Sequence, residues 1–232
     1  MPGPGPDFFT AARVGPALKR AVLVLSGAPP PRAALDLAQG ALLVAVDGGA
    51  NVLHGWGRLP DVVVGDLDSI TREALAWCEA GGARIARFPV AKDDTDAALA
   101  LAEALAWGAR EIVFAGATGG RLDHTLANFG LARRAAEAGA AVRLVEAEGS
   151  AWVVDAAHPL RLSDLEGRTA SLLALTGALE GVTLEGFRWP LADARLVFGD
   201  PRGVSNVVEA PVAEVRVRAG IGLLILPPAG EG

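Results

Sequence analysis

Between Ala21 and Glu146 the chain repeatedly runs apolar on successive residues, and this most narrows what it can fold into. The runs are Ala21–Leu25, Ala41–Val46, Asp61–Val64, Ala83–Phe88, Glu111–Ala115 and Ala141–Val145, most of them continuous Val, Leu, Ile or Ala. A strand that is apolar at every position has no wet face, so helices must cover both of its sides, as in a parallel sheet. Helical stretches lie between the runs: Thr71–Ala80, Asp94–Trp107 and Thr125–Ala138. In the second of these, Leu101 and Leu105 are spaced i, i+4 and share one face. Gly81-Gly82, Gly108 and Gly139 stand where helices end. Strand-helix alternation predicts an α/β domain with right-handed crossovers, Rossmann-like in its parallel sheet.

Beyond Glu146 the texture changes. Ser150–Val154, Ala170–Leu175, Gly181–Glu185, Val204–Ala210, Val212–Arg218 and Gly222–Leu226 are short, β-rich and separated by Gly, Pro or Asp. Val215-Arg216-Val217-Arg218 alternates apolar and charged residues, the mark of a strand with one wet face. No long helix is expected there. The reading is an α/β domain over 20–146, followed by an all-β domain, a small sandwich, over 147–232.

The chain's 232 residues and 51% hydrophobic content supply ample core. A formal charge of −6 argues against nucleic acid, whose phosphates attract basic surfaces. Cys78 is alone, which removes an internal disulfide or a cysteine-rich zinc site and suits a reducing compartment. Met1 to Thr10, rich in Pro and Gly, reads as a loose leader. The run Ala21–Leu25 is too short and too far in for a signal-peptide core. No membrane span is expected, and the cytoplasm is the default location.

The acids carry the functional information. Asp47 follows the second apolar run, inside Val46-Asp47-Gly48-Gly49-Ala50-Asn51. Asp66 and Asp68 follow the third, inside Gly65-Asp66-Leu67-Asp68-Ser69. Asp93, Asp94 and Asp96 follow the fourth, inside Lys92-Asp93-Asp94-Thr95-Asp96, and Asp123 follows the fifth. One Asp after a strand is usually a helix cap or turn residue, and Asp94 fits that role best. Capping does not account for recurrence over four strand ends. These ends lie at the carboxyl edge, where open parallel sheets bind ligands. So many carboxylates in one crevice repel each other unless cations intervene. Arg121 and Lys92 offset part of the charge. The rest calls for a divalent cation with oxygen ligands, and magnesium, which shares carboxylates with substrate phosphates, fits. His54, His124 and His158 show no zinc-ligand spacing. The segment Gly116–Asp123 is a glycine-rich strand-to-helix loop whose N–H groups suit a phosphate, with Arg121 as a clamp and Lys92 as a second contact.

These residues resemble a known family, the thiamin pyrophosphokinases. The likeness is carried by Asp47-Gly48-Gly49-Ala50-Asn51, by Pro60-Asp61-x-x-x-Gly65-Asp66-Leu67-Asp68-Ser69 and by Asp93-x-Thr95-Asp96. Gly116-x-x-Gly119-Gly120-Arg121-x-Asp123-His124 and Arg202-Gly203-Val204-Ser205-Asn206 follow in the family's order. The resemblance implies an ATP-dependent enzyme that makes thiamin diphosphate and AMP, working as a homodimer with active sites at the subunit interface. It implies magnesium and ATP contacts for Asp47, Asp66, Asp68, Asp93 and Asp96, and nucleotide contacts for Thr95, Gly119, Arg121 and Asp123. Lys92 falls where some relatives carry Gln. Ser205 and Asn206 inherit the thiamin side. Trp189, in Gly186-Phe187-Arg188-Trp189-Pro190-Leu191, resembles the aromatic segment preceding that motif. A Trp can stack on the cationic thiazolium or the pyrimidine, or serve as a buried β-domain residue.

Phosphoryl-type transfer is mostly positioning and charge neutralisation. Asp66, Asp68 and Asp96 with magnesium, and Arg121, are therefore the expected catalytic set. Two rivals stand beside this reading. One is a magnesium-dependent pyrophosphokinase with a pterin alcohol as acceptor; the other is a non-catalytic nucleotide or metal sensor.

Overall fold

Five of the six apolar runs of the first half form strands buried almost end to end. The computed structural model describes residues 11–13, 19–89 and 94–228. Its first elements are β1 (Ala11–Arg13), β2 (Arg20–Val24), β3 (Leu42–Val46), α1 (Gly49–Trp56), β4 (Val62–Gly65), α2 (Arg72–Ala80), β5 (Arg84–Arg87), α3 (Asp96–Ala106), β6 (Glu111–Ala115), α4 (Leu122–Glu137) and β7 (Ala141–Glu146). Strands β2 to β7 pair in parallel in the order β7-β6-β2-β3-β4-β5. Val22 sits opposite Leu43 on one side and Val113 on the other, all three buried. Gly82, Gly108 and Gly139, just past α2, α3 and α4, take the left-handed conformation that ends a helix.

Chain order and strand order together place the ligand edge. From β2 the chain moves outward through β3 and β4 to β5. It then crosses back along α3, which packs on β4, β3 and β2, and resumes at β6 on the far side of β2. With right-handed crossovers, reversing direction puts α3 and α4 on the face opposite α1 and α2. The loops after β2 and β6 therefore leave to opposite sides, and a crevice opens between them. The outer strand β5 is wet, and Arg84 on it pairs with Glu103 of α3 at 2.5 Å, a charged edge of the kind that discourages further strand pairing.

The chain divides into two compact units. One holds the described residues 19–147; the other gathers 148–228 with β1. The second unit contains β8 (Gly149–Val154), β9 (Leu160–Ser163), β10 (Thr169–Ala174), β11 (Ala178–Glu185), β12 (Leu191–Val197), β13 (Asn206–Val207), β14 (Val212–Arg216) and β15 (Gly222–Leu226). All its pairings are antiparallel, in the orders β13-β10-β15-β8 and β1-β9-β14-β11-β12. One buried cluster draws on both sets, with Trp152, Leu172 and Leu224 from the first and Leu162, Leu184 and Val215 from the second. The alternation read at Val215–Arg218 holds, with both valines buried and both arginines exposed.

Three strands go beyond the sequence reading: β1, β9 and β12. The third is an edge strand, mostly exposed, with two register shifts against β11 and Asp193 at φ 47. It therefore carries little apolar signal. The segment read as a strand over Val204–Ala210 contracts to the two-residue β13, because Ser205 turns at φ 56 after a 3-10 turn over Pro201–Gly203. The leader Met1 to Thr10 lies outside the described residues. Among the described residues no helix is long and apolar enough to cross a membrane.

Two glycines of α1 separate backbone approach from helix propensity. A Cβ on Gly49 would lie 1.9 Å from the Val24 carbonyl oxygen, whereas one on the exposed Gly55 meets nothing within 4 Å. Gly55→Ala is expected to raise stability by roughly 0.5–1 kcal/mol, and Gly49→Ala to lower it by about 2 kcal/mol. Urea denaturation midpoints at constant slope measure both.

Candidate active site

The acids at the carboxyl edge are placed by an unusual backbone. Just past β3, Asp47 takes a left-handed conformation at φ 44, which non-glycine residues adopt sparingly. Its N–H donates to the Val64 carbonyl at 2.8 Å, and its Oδ1 accepts from the Ser69 N–H at 3.3 Å. Past β4, Leu67 is also left-handed, at φ 70. That bend turns Asp66 and Asp68 to the same side. Asp66 Oδ1 accepts from the Asp68 N–H at 3.2 Å, and Asp68 Oδ1 accepts from the Ser69 hydroxyl at 2.8 Å. Asn51 of α1 staples this loop, donating to the Ser69 carbonyl at 2.9 Å and accepting from the Thr71 N–H at 2.9 Å. The outcome is a cluster in which one carboxylate oxygen each of Asp47, Asp66 and Asp68 lie within 4.8 Å of one another. Asp66-x-Asp68 is thus both a local turn and part of a charge cluster.

Asp96, the first residue of α3, stands beside the cluster. A Cβ on Gly65 would come within 3.0 Å of Asp47 Cβ and 3.4 Å of Asp96 Cγ, and Gly65 sits at φ 153, so glycine is required between the two acids. The cap of α3 is Thr95, whose hydroxyl accepts from the Ala98 N–H at 3.2 Å. The capping role read for Asp94 therefore belongs to its neighbour. Lys92 and Asp93 lie outside the described residues.

A cavity of about 890 Å³ opens over this edge, lined by Asp47, Asp66, Asp68, Thr95, Asp96, Arg121 and Asp123 among others. Arg121 and Asp123 form a forked pair, Nε to Oδ1 at 3.1 Å and Nη2 to Oδ2 at 2.6 Å, both well exposed. The guanidinium holds the Asp123 carboxyl down to a pKa of about 2. Asp47 behaves oppositely. Burial raises its carboxyl above the ordinary 3.8, more than the Ser69 hydrogen bond lowers it, and the Asp68 charge adds to the rise. Gly119 is not among the lining residues; it turns at φ 71 behind the cavity, where a Cβ would lie 2.3 Å from Ala28 Cβ.

The glycine-rich loop differs from the phosphate cradle read from sequence. The N–H groups of Ala117 and Thr118 donate to Glu146, the last residue of β7, at 3.0 and 3.1 Å. These two donors point into the protein. Asn128 of α4 donates to the Ala117 carbonyl at 2.8 Å. Sequence reading missed Glu146, Asn128 and the cavity-lining Ser26 and Gly27. A buried Glu at the end of an apolar strand was the available signal for the first.

In the second unit, Trp189 is 56% exposed, beside the Arg188 guanidinium at 5.8 Å from its ring centre. The bland alternative of a buried Trp is therefore set aside. Asn206 is buried, at 2% exposure, and grips the Trp189 backbone from both sides. Its Oδ1 accepts from the Trp189 N–H at 3.1 Å and its Nδ2 donates to the Trp189 carbonyl at 2.8 Å. Ser205 is exposed, its N–H bonded to the Ser171 hydroxyl at 3.0 Å.

Residues 35–144 match the family model described as the catalytic domain of thiamin pyrophosphokinase, and residues 157–222 match its vitamin B1 binding domain. The chain belongs to the thiamin pyrophosphokinase family. Thiamine pyrophosphokinase of Bacillus subtilis is 29% identical over 165 residues, 71% of this chain and 77% of the relative. Thiamine pyrophosphokinase 1 of rice, Oryza sativa subsp. japonica, is 27% identical over 223 residues, 84% of this chain and 82% of the relative. The crystal structure of the Bacillus subtilis thiamine pyrophosphokinase superposes with a TM-score of 0.81 at 26% identity, covering 90% of this chain and 99% of that one. The α/β architecture with further antiparallel sheets is thus shared with solved thiamin pyrophosphokinases.

In this member of the thiamin pyrophosphokinase family, the raised carboxyl of Asp47 makes a signed prediction. A group whose folded pKa exceeds its unfolded value stabilises the fold below the unfolded value and loses that contribution as pH rises through the folded one. At neutral pH the ionised Asp47 therefore destabilises the metal-free protein. Asp47→Asn, which keeps an acceptor for Ser69, is expected to raise the melting temperature in EDTA by about 2–4 °C at pH 7. The gain should fade as pH falls toward 3.8. An unchanged or lower melting temperature would show that the cluster is not repulsive.

Proposed function

We propose that this chain is a thiamin pyrophosphokinase in activity as well as family, moving the pyrophosphoryl group of ATP to the hydroxyl of thiamin and releasing AMP. The observation that carries this reading is the gathering of Asp47, Asp66 and Asp68, with Asp96 and Arg121 on the same cavity wall. It occurs in a chain whose two halves match the two domains of that family. Three hard oxygen donors at mutual ligand distance suit magnesium, which takes few carboxylates and completes its shell with water and phosphate oxygens. Asp47, Asp66 and Asp68, with Asp96 beside them and Asp93, would hold the ion. When bound, magnesium supplies positive charge to the phosphate oxygens.

The chain's own residues do the positioning. Arg121 offers a fork that fits phosphate oxygens, exchanging its bond to Asp123 for the nucleotide. Thr95, Gly119, Asp123 and Lys92 belong to the nucleotide side of this reading. Trp189 presents an exposed ring for the cationic thiazolium or the pyrimidine, Asn206 holds that ring's backbone, and Ser205 stands next to it. The thiamin hydroxyl oxygen forms the new bond to the β-phosphorus, and the bond from that phosphorus to the oxygen leading to the α-phosphate breaks. AMP leaves with the electron pair, and the hydroxyl proton passes to a carboxylate or to water. In a loose transition state little base strength is needed.

This reading takes 20–146 as the ATP- and magnesium-handling domain, Rossmann-like, and 147–232 as a sandwich that binds thiamin and dimerises. It takes the assembly as a homodimer with active sites at the subunit interface, working in the cytoplasm, in keeping with the free, buried thiol of Cys78.

Purified protein with ATP, magnesium and thiamin is expected to yield AMP and thiamin diphosphate in equal amounts, and none after EDTA. Asp68→Asn should lower kcat by about 10³-fold or more with the fold intact, as loss of charge neutralisation in phosphoryl transfer implies. AMP formed with a pterin alcohol but not with thiamin would move the acceptor, and nucleotide binding without AMP would favour a sensor. Trp189→Ala should raise KM for thiamin by about tenfold, the loss of one cation–π contact of 1–2 kcal/mol, with KM for ATP nearly unchanged.

A further inference from the structure

The loop after β6 is tied from within by a carboxylate that the transfer reaction does not use. Glu146 is 6% exposed. Its Oε1 accepts from the Ala117 N–H at 3.0 Å, and its Oε2 accepts from the Thr118 N–H at 3.1 Å and the Thr118 hydroxyl at 3.0 Å. Asn128, 9% exposed, closes the other side of the same residue by donating to the Ala117 carbonyl at 2.8 Å. The loop after β2 adds Gly27 N–H to the Gly116 carbonyl at 3.1 Å and Ala28 N–H to the Thr118 carbonyl at 2.7 Å.

Successive N–H groups converging on an anion are the arrangement by which backbone concavities bind phosphate. Here the anion is the chain's own. With the polar groups of residues 116–118 committed inward, the turn at Gly119, φ 71, carries Gly120 and Arg121 out to the cavity wall. Hydrogen bonds to a charged acceptor are the strong ones, so this inner half is the rigid half of the loop.

We propose that Glu146, with Asn128, is a positioning residue for the nucleotide: it presets the loop so that Gly120 and Arg121 meet ATP phosphates without ordering on binding. Preset loops bind more tightly because less freedom is lost. The inference rests on reading the cavity as the ATP site and is independent of the acceptor.

Calorimetric titration of the full chain with ATP and magnesium, run beside the transfer assay, tests it. Glu146→Gln keeps the shape but turns an amide N–H₂ toward N–H donors. It should weaken ATP binding and raise KM for ATP by about tenfold, leave KM for thiamin within twofold, and speed amide exchange in 116–121 but not in β2 or β3. Thr118→Val removes the hydroxyl donor to Glu146 and should weaken ATP binding about threefold; it decides the matter if Glu146→Gln fails to fold. ATP affinities within twofold of the wild type would overturn the proposal. So would KM values for ATP and thiamin rising together with a falling melting temperature, the pattern of general loosening. If the wild type binds ATP but makes no thiamin diphosphate, the acceptor reading fails while the affinities still decide the role of Glu146. A wild type that binds no ATP would defeat both.

Discussion

Carboxylates brought to one sheet edge repel one another, and the α/β unit is arranged around holding them there. Two unit charges at about 4 Å cost roughly 1 kcal/mol in water and about 4 kcal/mol at the effective dielectric of a protein surface. Asp47, Asp66 and Asp68 offer oxygens within 4.8 Å, with Asp47 almost fully buried. No fold would gather them for stability. They are held by means that themselves cost something: left-handed Asp47 and Leu67, and a glycine at 65 where any side chain would strike two of the acids. Asn51 and Ser69 then tie the two acidic loops together. Strain and repulsion at one place, supported by a parallel sheet buried on both faces, are the marks of a site selected for binding.

The two units make different kinds of surface. A parallel sheet ends in a row of loops at one edge, which suits converging charges on a metal and a phosphate chain. An antiparallel unit with alternating strands offers faces and turns. There Trp189 is exposed, and the buried Asn206 takes both hydrogen-bonding groups of its backbone. The resemblance places Asn206 on the thiamin side. Its side chain is engaged with the Trp189 main chain and with the Val207 N–H at 2.8 Å.

Legibility in the sequence followed how local each determinant is. The strands β2, β3, β4, β6 and β7 were readable because continuous apolar runs are a local pattern, and helices α2, α3 and α4 because glycines end them; the short α1 was not read. The acids at strand ends were readable for the same reason. The edge strand β12 was not, since its neighbours on one side are solvent and its pattern is mixed. The strand β1 was not, since its pairing partner β9 lies far along the chain. Thr95 rather than Asp94 caps α3, a one-residue choice between two competent capping side chains that only the backbone geometry settles.

The glycine-rich loop shows most clearly where such reading stops. Gly116, Gly119 and Gly120 announce a tight turn between strand and helix, and a tight turn exposes N–H groups. Which way those groups face is a separate matter, decided by the nearest anion. That anion is Glu146, 29 residues beyond Ala117 in the chain and adjacent to it only because β7 lies beside β6. The consequence is a loop with an inner half saturated by the protein and an outer half left to the cavity. On the outer half Arg121 faces the cavity, and its present partner, Asp123, is exposed. A carboxylate inside the loop also places negative charge behind the donors that remain, which leaves Arg121 as the cationic group of the loop that faces the cavity.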